Sequence, residues 1–133
     1  MNSKDKGNVA EAYVLAALLK QGLTVSIPYG ENARYDMVFE RSNRFYTVQC
    51  KLGRLRNGRV KFNLRSVYKV KGKLFTRSYG STIDYYGVYC QELNTVYLVP
   101  VTGLGATEAS LNLEVPKNKN QNGFRLARDF EIR

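Results

Sequence analysis

The chain reads as an α/β protein, a mixed central β-sheet flanked by helices. Three observations predict this. An Ala- and Leu-rich stretch from Val9 to Leu19 has the composition of a helix. Two strand-like runs, 34–40 and 45–51, flank the polar segment Arg41-Ser-Asn-Arg44. A second pair of apolar runs, 85–90 and 95–101, flanks a turn near Leu93-Asn94.

The elements follow in order. An N-terminal helix over about residues 5–21 ends with Gly22 as its cap. A strand at Thr24–Ile27 leads through Pro28 and Gly30 into the first hairpin. Val60, Phe62 and Leu64 alternate with Lys61, Asn63 and Arg65, which predicts a half-buried strand over Val60–Tyr68 with a basic outer face. A Gly-containing basic loop then runs to about Ser81. The second hairpin is followed by Leu111–Val115, a polar loop over 117–123, and Phe124–Ile132. There is no internal repeat, and 133 residues with 44% hydrophobic content suit one domain over 1–133.

Centring the first hairpin on Ser42 and Asn43 makes opposite residue numbers sum to 85, which sets Asp36 across from Gln49. Lys51 shares the face of Gln49, because side chains alternate along a strand. A carboxylate, an amide oxygen and an ammonium then converge on one patch. Such a patch can hold a divalent metal and orient water against a phosphate. An Asp and a Lys on one hairpin face also occur as a solvated surface pair.

Charge bears on that choice. The net charge is +10, from 21 basic and 11 acidic residues. No acidic residue lies between Glu40 and Asp84. That stretch holds Arg41, Arg44, Lys51, Arg54, Arg56, Arg59, Lys61, Arg65, Lys69, Lys71, Lys73 and Arg77. A one-sign block this long makes a strong positive field, and nucleic acid is its natural partner. No amphipathic anchor or lipidation signal points to a membrane. Tyr68, Phe75 and Tyr79 punctuate the block; they either stack on bases or anchor a loop to the core. Glu11 lines up at helical spacing with Leu15, Leu18 and Leu19, where a carboxylate calls for a partner or a metal. Placed near the helix start, it equally favours the helix dipole.

Together these residues resemble the PD-(D/E)XK nuclease superfamily, and more narrowly its group I intron-type homing endonucleases. The resemblance runs in consistent order through GNVAEA (7–12), RYD (34–36), VQCK (48–51), IDYYGVYC (83–90) and VYLVP (96–100). It implies a restriction-endonuclease-like core of αβββαβ type, although the sequence after the third core strand shows no clear helix and suits a basic hairpin or loop. It departs from the superfamily at Gln49, where Asp or Glu is usual and where the intron-type branch is similar in accepting Gln. Tyr35 also replaces the proline that names the motif.

The resemblance implies a metal-dependent DNA endonuclease. Asp36 would be the essential metal ligand, with Gln49 and the carbonyl of Cys50 completing the protein ligands. Glu11 would ligate or orient a metal-bound water, and Lys51 would position the attacking water and stabilise phosphate charge. The ion would be Mg²⁺, with Mn²⁺ as a substitute. Arg34, Arg54, Arg56, Arg59, Lys61, Arg65, Lys69, Lys71, Lys73 and Arg77 are the candidate DNA contacts. The partner would be double-stranded or branched DNA. Cutting two strands with one site per chain needs a homo-oligomer, a dimer or, as the intron-type resemblance implies, a tetramer.

With no His in the chain, His-based nuclease chemistry and His-ligated zinc are excluded. No signal peptide or transmembrane run is seen, so the expectation is a cytoplasmic protein with Cys50 and Cys90 as reduced thiols. Asp84 reads as a strand-start cap or a site residue, with the structural role favoured. Three functions follow: a homing-type endonuclease, a Holliday junction resolvase-like nuclease, and a non-catalytic DNA-binding module.

Overall fold

The computed structural model describes residues 1–30, 33–78, 82–117 and 123–133, with backbone alone at 66–69 and 76–78. Helix α1 spans Ser3–Lys20. The Asn2 side chain caps its start by accepting from the Asp5 N–H at 2.9 Å. Its end is a Schellman motif: Gly22 N–H donates to the Leu19 carbonyl and Leu23 N–H to the Leu18 carbonyl. Gly22 takes a φ of +81°, which a glycine adopts without cost.

The strands are β1 (Thr24–Ser26), β2 (Met37–Arg41), β3 (Arg44–Arg56), β4 (Arg59–Asn63), β5 (Arg65–Val70), β6 (Lys73–Ser78), β7 (Tyr85–Cys90), β8 (Thr95–Pro100), β9 (Glu108–Asn112) and β10 (Glu131–Ile132). A short 3-10 helix, Ala127–Asp129, precedes β10. The main sheet has the order β1-β2-β3-β7-β8-β10, and only β3 and β7 pair in parallel. The 13-residue β3 is long enough to serve two sheets. Its first part pairs with β2 and β7, while Arg54–Arg56 pairs with β4, which pairs in turn with β9.

The β2–β3 register has the expected sum of 85, from Met37↔Val48 to Arg41↔Arg44. Its cause is the two-residue turn. Ser42 and Asn43 have φ of 52° and 63°, the I′ geometry whose twist matches that of the strands. The β5–β6 turn at Lys71-Gly72 repeats it, with φ of 50° and 79°.

Two expectations are corrected here. The single strand expected over Val60–Tyr68 is two strands in different sheets. The break comes after Leu64: its N–H still follows the β4–β9 register, donating to the Thr107 carbonyl at 2.8 Å, and the next residue, Arg65, opens β5 in the separate hairpin. The expected basic loop to Ser81 is the second arm of the β5–β6 hairpin as far as Ser78; residues 79–81 lie outside the described residues. This hairpin stands in the β3-to-β7 crossover, where the αβββαβ pattern has a helix.

Apolar side chains fill both faces of the main sheet. On one, Ala10, Val14, Ala17 and Leu18 of α1 pack on Met37, Phe39, Val48, Tyr89 and Leu98. On the other, Val60, Phe62 and Leu64 close over Tyr86, Val88, Cys90, Tyr97 and Val99, with Leu111 and Ala127. The central strands β7 and β8 are therefore apolar almost throughout, as strands covered on both sides must be. The buried stripe of α1 is 10/14/17/18 rather than the predicted 11/15/18/19: Leu19 is 52% exposed and Glu11 sits at the margin. Among the described residues no helix is long and apolar enough to cross a membrane.

Helix and sheet meet closely at Gly87. A Cβ there would lie 2.6 Å from Val14 Cγ1 and 3.1 Å from Val48 Cγ1. Gly87→Ala is expected to destabilise the fold by about 1–3 kcal/mol through overpacking. In urea unfolding, adding Val14→Ala should recover part of that loss. Full additivity of the two changes would show that the contact does not limit packing.

Candidate active site

The site begins with a gap in the ladder of β3. Val48 is the last residue that β2 reaches, and Arg54 is the first that β4 reaches. Between them, Cys50 gives its N–H to Asp36 Oδ2 at 2.7 Å. The Asp36 N–H donates to the Val48 carbonyl at 2.8 Å. Asp36 thus brackets Gln49, one residue before β2 begins. Main-chain bonds fix both the backbone and the carboxylate of the candidate ligand, a charge-assisted arrangement that removes rotamer freedom.

Glu11 reaches the same place from α1. It lines a cleft of about 230 Å³ with Asp36, Ile27, Pro28 and Tyr35. Burial raises the Glu11 carboxyl above its ordinary range, and the Asp36 charge raises it further. Asp36 is also raised, by burial first, against the lowering effects of the Cys50 N–H and the Lys51 ammonium. Burial pushes Lys51 down, and the Asp36 charge opposes that. Asp36 is therefore the group that Glu11, Cys50 and Lys51 all feel. Lys51 Nζ donates to the Arg65 carbonyl at 2.8 Å, so the segment after β4 helps aim it. Gln49 is half-buried on β3, in register with Tyr86, and shares by alternation the face of Lys51.

The donor chemistry fits a hard cation. Burial raises both carboxyls and the Asp36 charge raises Glu11 further, and a divalent ion would relieve that repulsion. The Cys50 thiol takes no part as thiolate. Burial, with the Asp36 and Glu11 charges, pushes it far above its ordinary value, which leaves its main-chain carbonyl as the available oxygen. Among the described residues no three His, Cys, Asp or Glu side chains form a metal cluster, so an ion here also needs neutral oxygens such as those of Gln49 and Cys50.

The other candidate residues divide by location. Arg34 is exposed, two residues from Asp36. Arg54, Arg56, Arg59 and Lys61 share one face of the β3–β4 hairpin, through the pairs Arg54↔Lys61 and Arg56↔Arg59. Arg56 is 3.8 Å from Glu92. Arg65 Nε donates to the Ala106 carbonyl at 3.3 Å. Lys71 and Lys73 are exposed at the tip of the β5–β6 hairpin, with Phe75 partly exposed beyond them. The side chains of Lys69, Arg77 and Tyr68, the whole of Tyr79, and positions 118–122 lie outside the described residues.

Asp84 has a structural role. Its Oδ2 accepts from the Thr47 N–H at 2.9 Å and from Thr47 Oγ1 at 3.2 Å, clasping the start of β7 to β3. Neither this clasp nor the Lys51–Arg65 bond carries a local sequence signal, since each joins residues far apart in the chain.

The raised Asp36 carboxyl yields a pH prediction. A folded pKa above the unfolded one means that stability falls as pH rises through that window. Ionised Asp36 then costs the metal-free protein stability at neutral pH. Asp36→Asn keeps an acceptor for the Cys50 N–H and is expected to raise the neutral-pH Tm by a few degrees. The gain should vanish below the ordinary carboxylate range. A Tm gain independent of pH would refute this electrostatic origin.

Comparisons with known proteins bear on the family and the fold. No curated protein matches the chain. The solved structure of a bacterial homing endonuclease, I-Ssp6803I, is similar with a TM-score of 0.72 and 26% identity, over 98% of this chain and 89% of that one. The shared architecture makes the mixed sheet with its N-terminal helix a restriction-endonuclease-like α/β fold. A family model described as PD-(D/E)XK endonuclease matches residues 1–133. With that match spanning every element from α1 to β10, the chain belongs to the PD-(D/E)XK endonuclease family.

Proposed function

We propose that this endonuclease is a Mg²⁺-dependent, homing-type enzyme that cuts both strands of a specific DNA duplex, with its catalytic centre at Asp36. The observation that carries the reading is the Asp36–Cys50 bond at the fork of β2 and β3, with Glu11 and Lys51 acting on the same carboxylate. The similarity to a homing endonuclease favours that type over a junction resolvase.

Each residue has a part in phosphodiester hydrolysis. Asp36, Gln49 and the Cys50 carbonyl would hold the metal, and Glu11 would orient water at the site. When bound, the divalent ion supplies Lewis-acid stabilisation of the phosphate and lowers the pKa of bound water. Lys51 steers the water oxygen towards phosphorus and offsets charge in the transition state. Its burial lowers the ammonium from its ordinary range, the direction that suits this role. The P–O3′ bond breaks, leaving a 5′-phosphate and a 3′-hydroxyl. One site per chain cuts one strand, so the working unit is a homo-oligomer with at least two sites.

The test is Mg²⁺-dependent cleavage of a randomised duplex library and of a four-way junction. Asp36→Ala is expected to reduce cutting to background. Lys51→Ala should lower it on the order of 10²–10³-fold, with DNA binding retained in both. Cutting that survives both changes would place the centre elsewhere. Preference for the junction over every linear sequence would favour a resolvase. Tight, salt-sensitive binding with no cutting of either substrate would favour a binding module. With wild type, Mn²⁺ should support cleavage and EDTA should abolish it.

A further inference from the structure

Beyond the cations already placed, one face of the β3–β4–β9 sheet carries groups that phosphate attraction does not explain. Register sets Arg54 beside Lys61, Lys61 beside Ser110, and Asn63 beside Glu108. Their side chains share one face by alternation, while Leu55, Val60, Phe62 and Leu111 turn into the core on the other. Arg54, Lys61, Asn63 and Glu108 line one groove of about 400 Å³ together with Leu52 and Arg56.

Glu108 is the informative member. A surface that only tracks phosphates gains nothing from a carboxylate among its cations, because that carboxylate repels the backbone. Glu108 is exposed and makes no ion pair among the described residues, so neutralising Arg54 or Lys61 is not its role. Asn63 Oδ1 accepts from the Arg65 N–H at 2.8 Å, which fixes the amide and leaves its NH₂ group to point elsewhere. The groove thus offers strong donors, a held amide and an exposed carboxylate acceptor. Reading base edges in a major groove requires such a mixed set: Arg or Lys for guanine, and a carboxylate for the cytosine amino group. A β-ribbon is narrow enough to enter that groove.

We infer that the β3–β4–β9 face is a base-reading surface for duplex DNA, on which Glu108 and Asn63 are specificity-determining residues. This rests on the DNA-endonuclease reading above. Glu108 accepts from a cytosine amino group, and the Arg54–Lys61 pair donates to neighbouring guanines.

The test is binding selection from a randomised duplex library, with Ca²⁺ replacing Mg²⁺, by wild type, Glu108→Gln and Asn63→Ala. Both positions are exposed, and thermal unfolding of each variant checks that the fold is kept. Wild type is expected to enrich a defined motif. Glu108→Gln should lose roughly ten-fold of the preference at one or two adjacent base pairs, cytosine among them, with the rest of the motif intact. Asn63→Ala should relax a neighbouring position. An unchanged motif in both variants, an affinity change uniform over all positions, or no motif for wild type would each overturn the inference. Mg²⁺ cleavage of the enriched duplexes is scored separately. Cleavage without position-specific change refutes the base-reading face alone, and position-specific change without cleavage refutes the nuclease reading alone.

Discussion

The bond from the Cys50 N–H to Asp36 Oδ2 holds the site together. A buried main-chain donor must find an acceptor, and here β3 has run past β2 without yet meeting β4. The Asp36 carboxylate fills that opening. The same bond fixes the chain just before β2 and holds Asp36 in the wall of the cleft. Glu11 and Lys51 then act on a charge whose position is already fixed. Remove the acceptor, and the fork loses both a ladder bond and its reference point.

That arrangement is electrostatically uncomfortable by itself. Both carboxyls are raised by burial, Glu11 also by the Asp36 charge, and the nearby lysine is lowered by burial. The scaffold tolerates this because the strain is confined to the point where β3 runs past the end of β2, in a sheet whose faces are otherwise well packed. Close helix–sheet contact at Gly87 keeps α1 in place, and with it Glu11. The Asp84–Thr47 clasp ties the parallel pair β3–β7 where it begins. Preorganisation at the site is thus supplied by packing and main-chain bonds remote from any reacting atom.

Much of the site was legible because its geometry is local. The turn at Ser42-Asn43 dictates the pairing of β2 with β3, so Asp36 and Gln49 could be set together from numbering alone. Helix faces proved harder. A helix apolar nearly all round gives no clear phase, and the buried stripe lies one position away from the one through Glu11. Strand continuity was misread at Leu64, where alternation persists although the chain changes sheets. The I′ turn at Lys71-Gly72 was hidden by a lysine in a position where Asn or Asp is the usual signal. Contacts such as Lys51 with the Arg65 carbonyl depend on how two sheets meet, and no local pattern encodes that.

The length of β3 has a further consequence. One uninterrupted strand carries Lys51 and, three residues on, Arg54. At about 3.3 Å per residue that is a fixed offset of roughly 10 Å, near the rise of three base pairs. Three being odd, alternation sets the two side chains on opposite faces of the strand, so β3 presents one towards the candidate site and the other to the groove beside Lys61. Inserting one residue would turn every later side chain to the opposite face. The offset can therefore lengthen, with both faces kept, only in steps of two residues, about 6.6 Å. A longer β3 that kept both faces would be constrained to even steps, unless a bulge absorbs the odd residue.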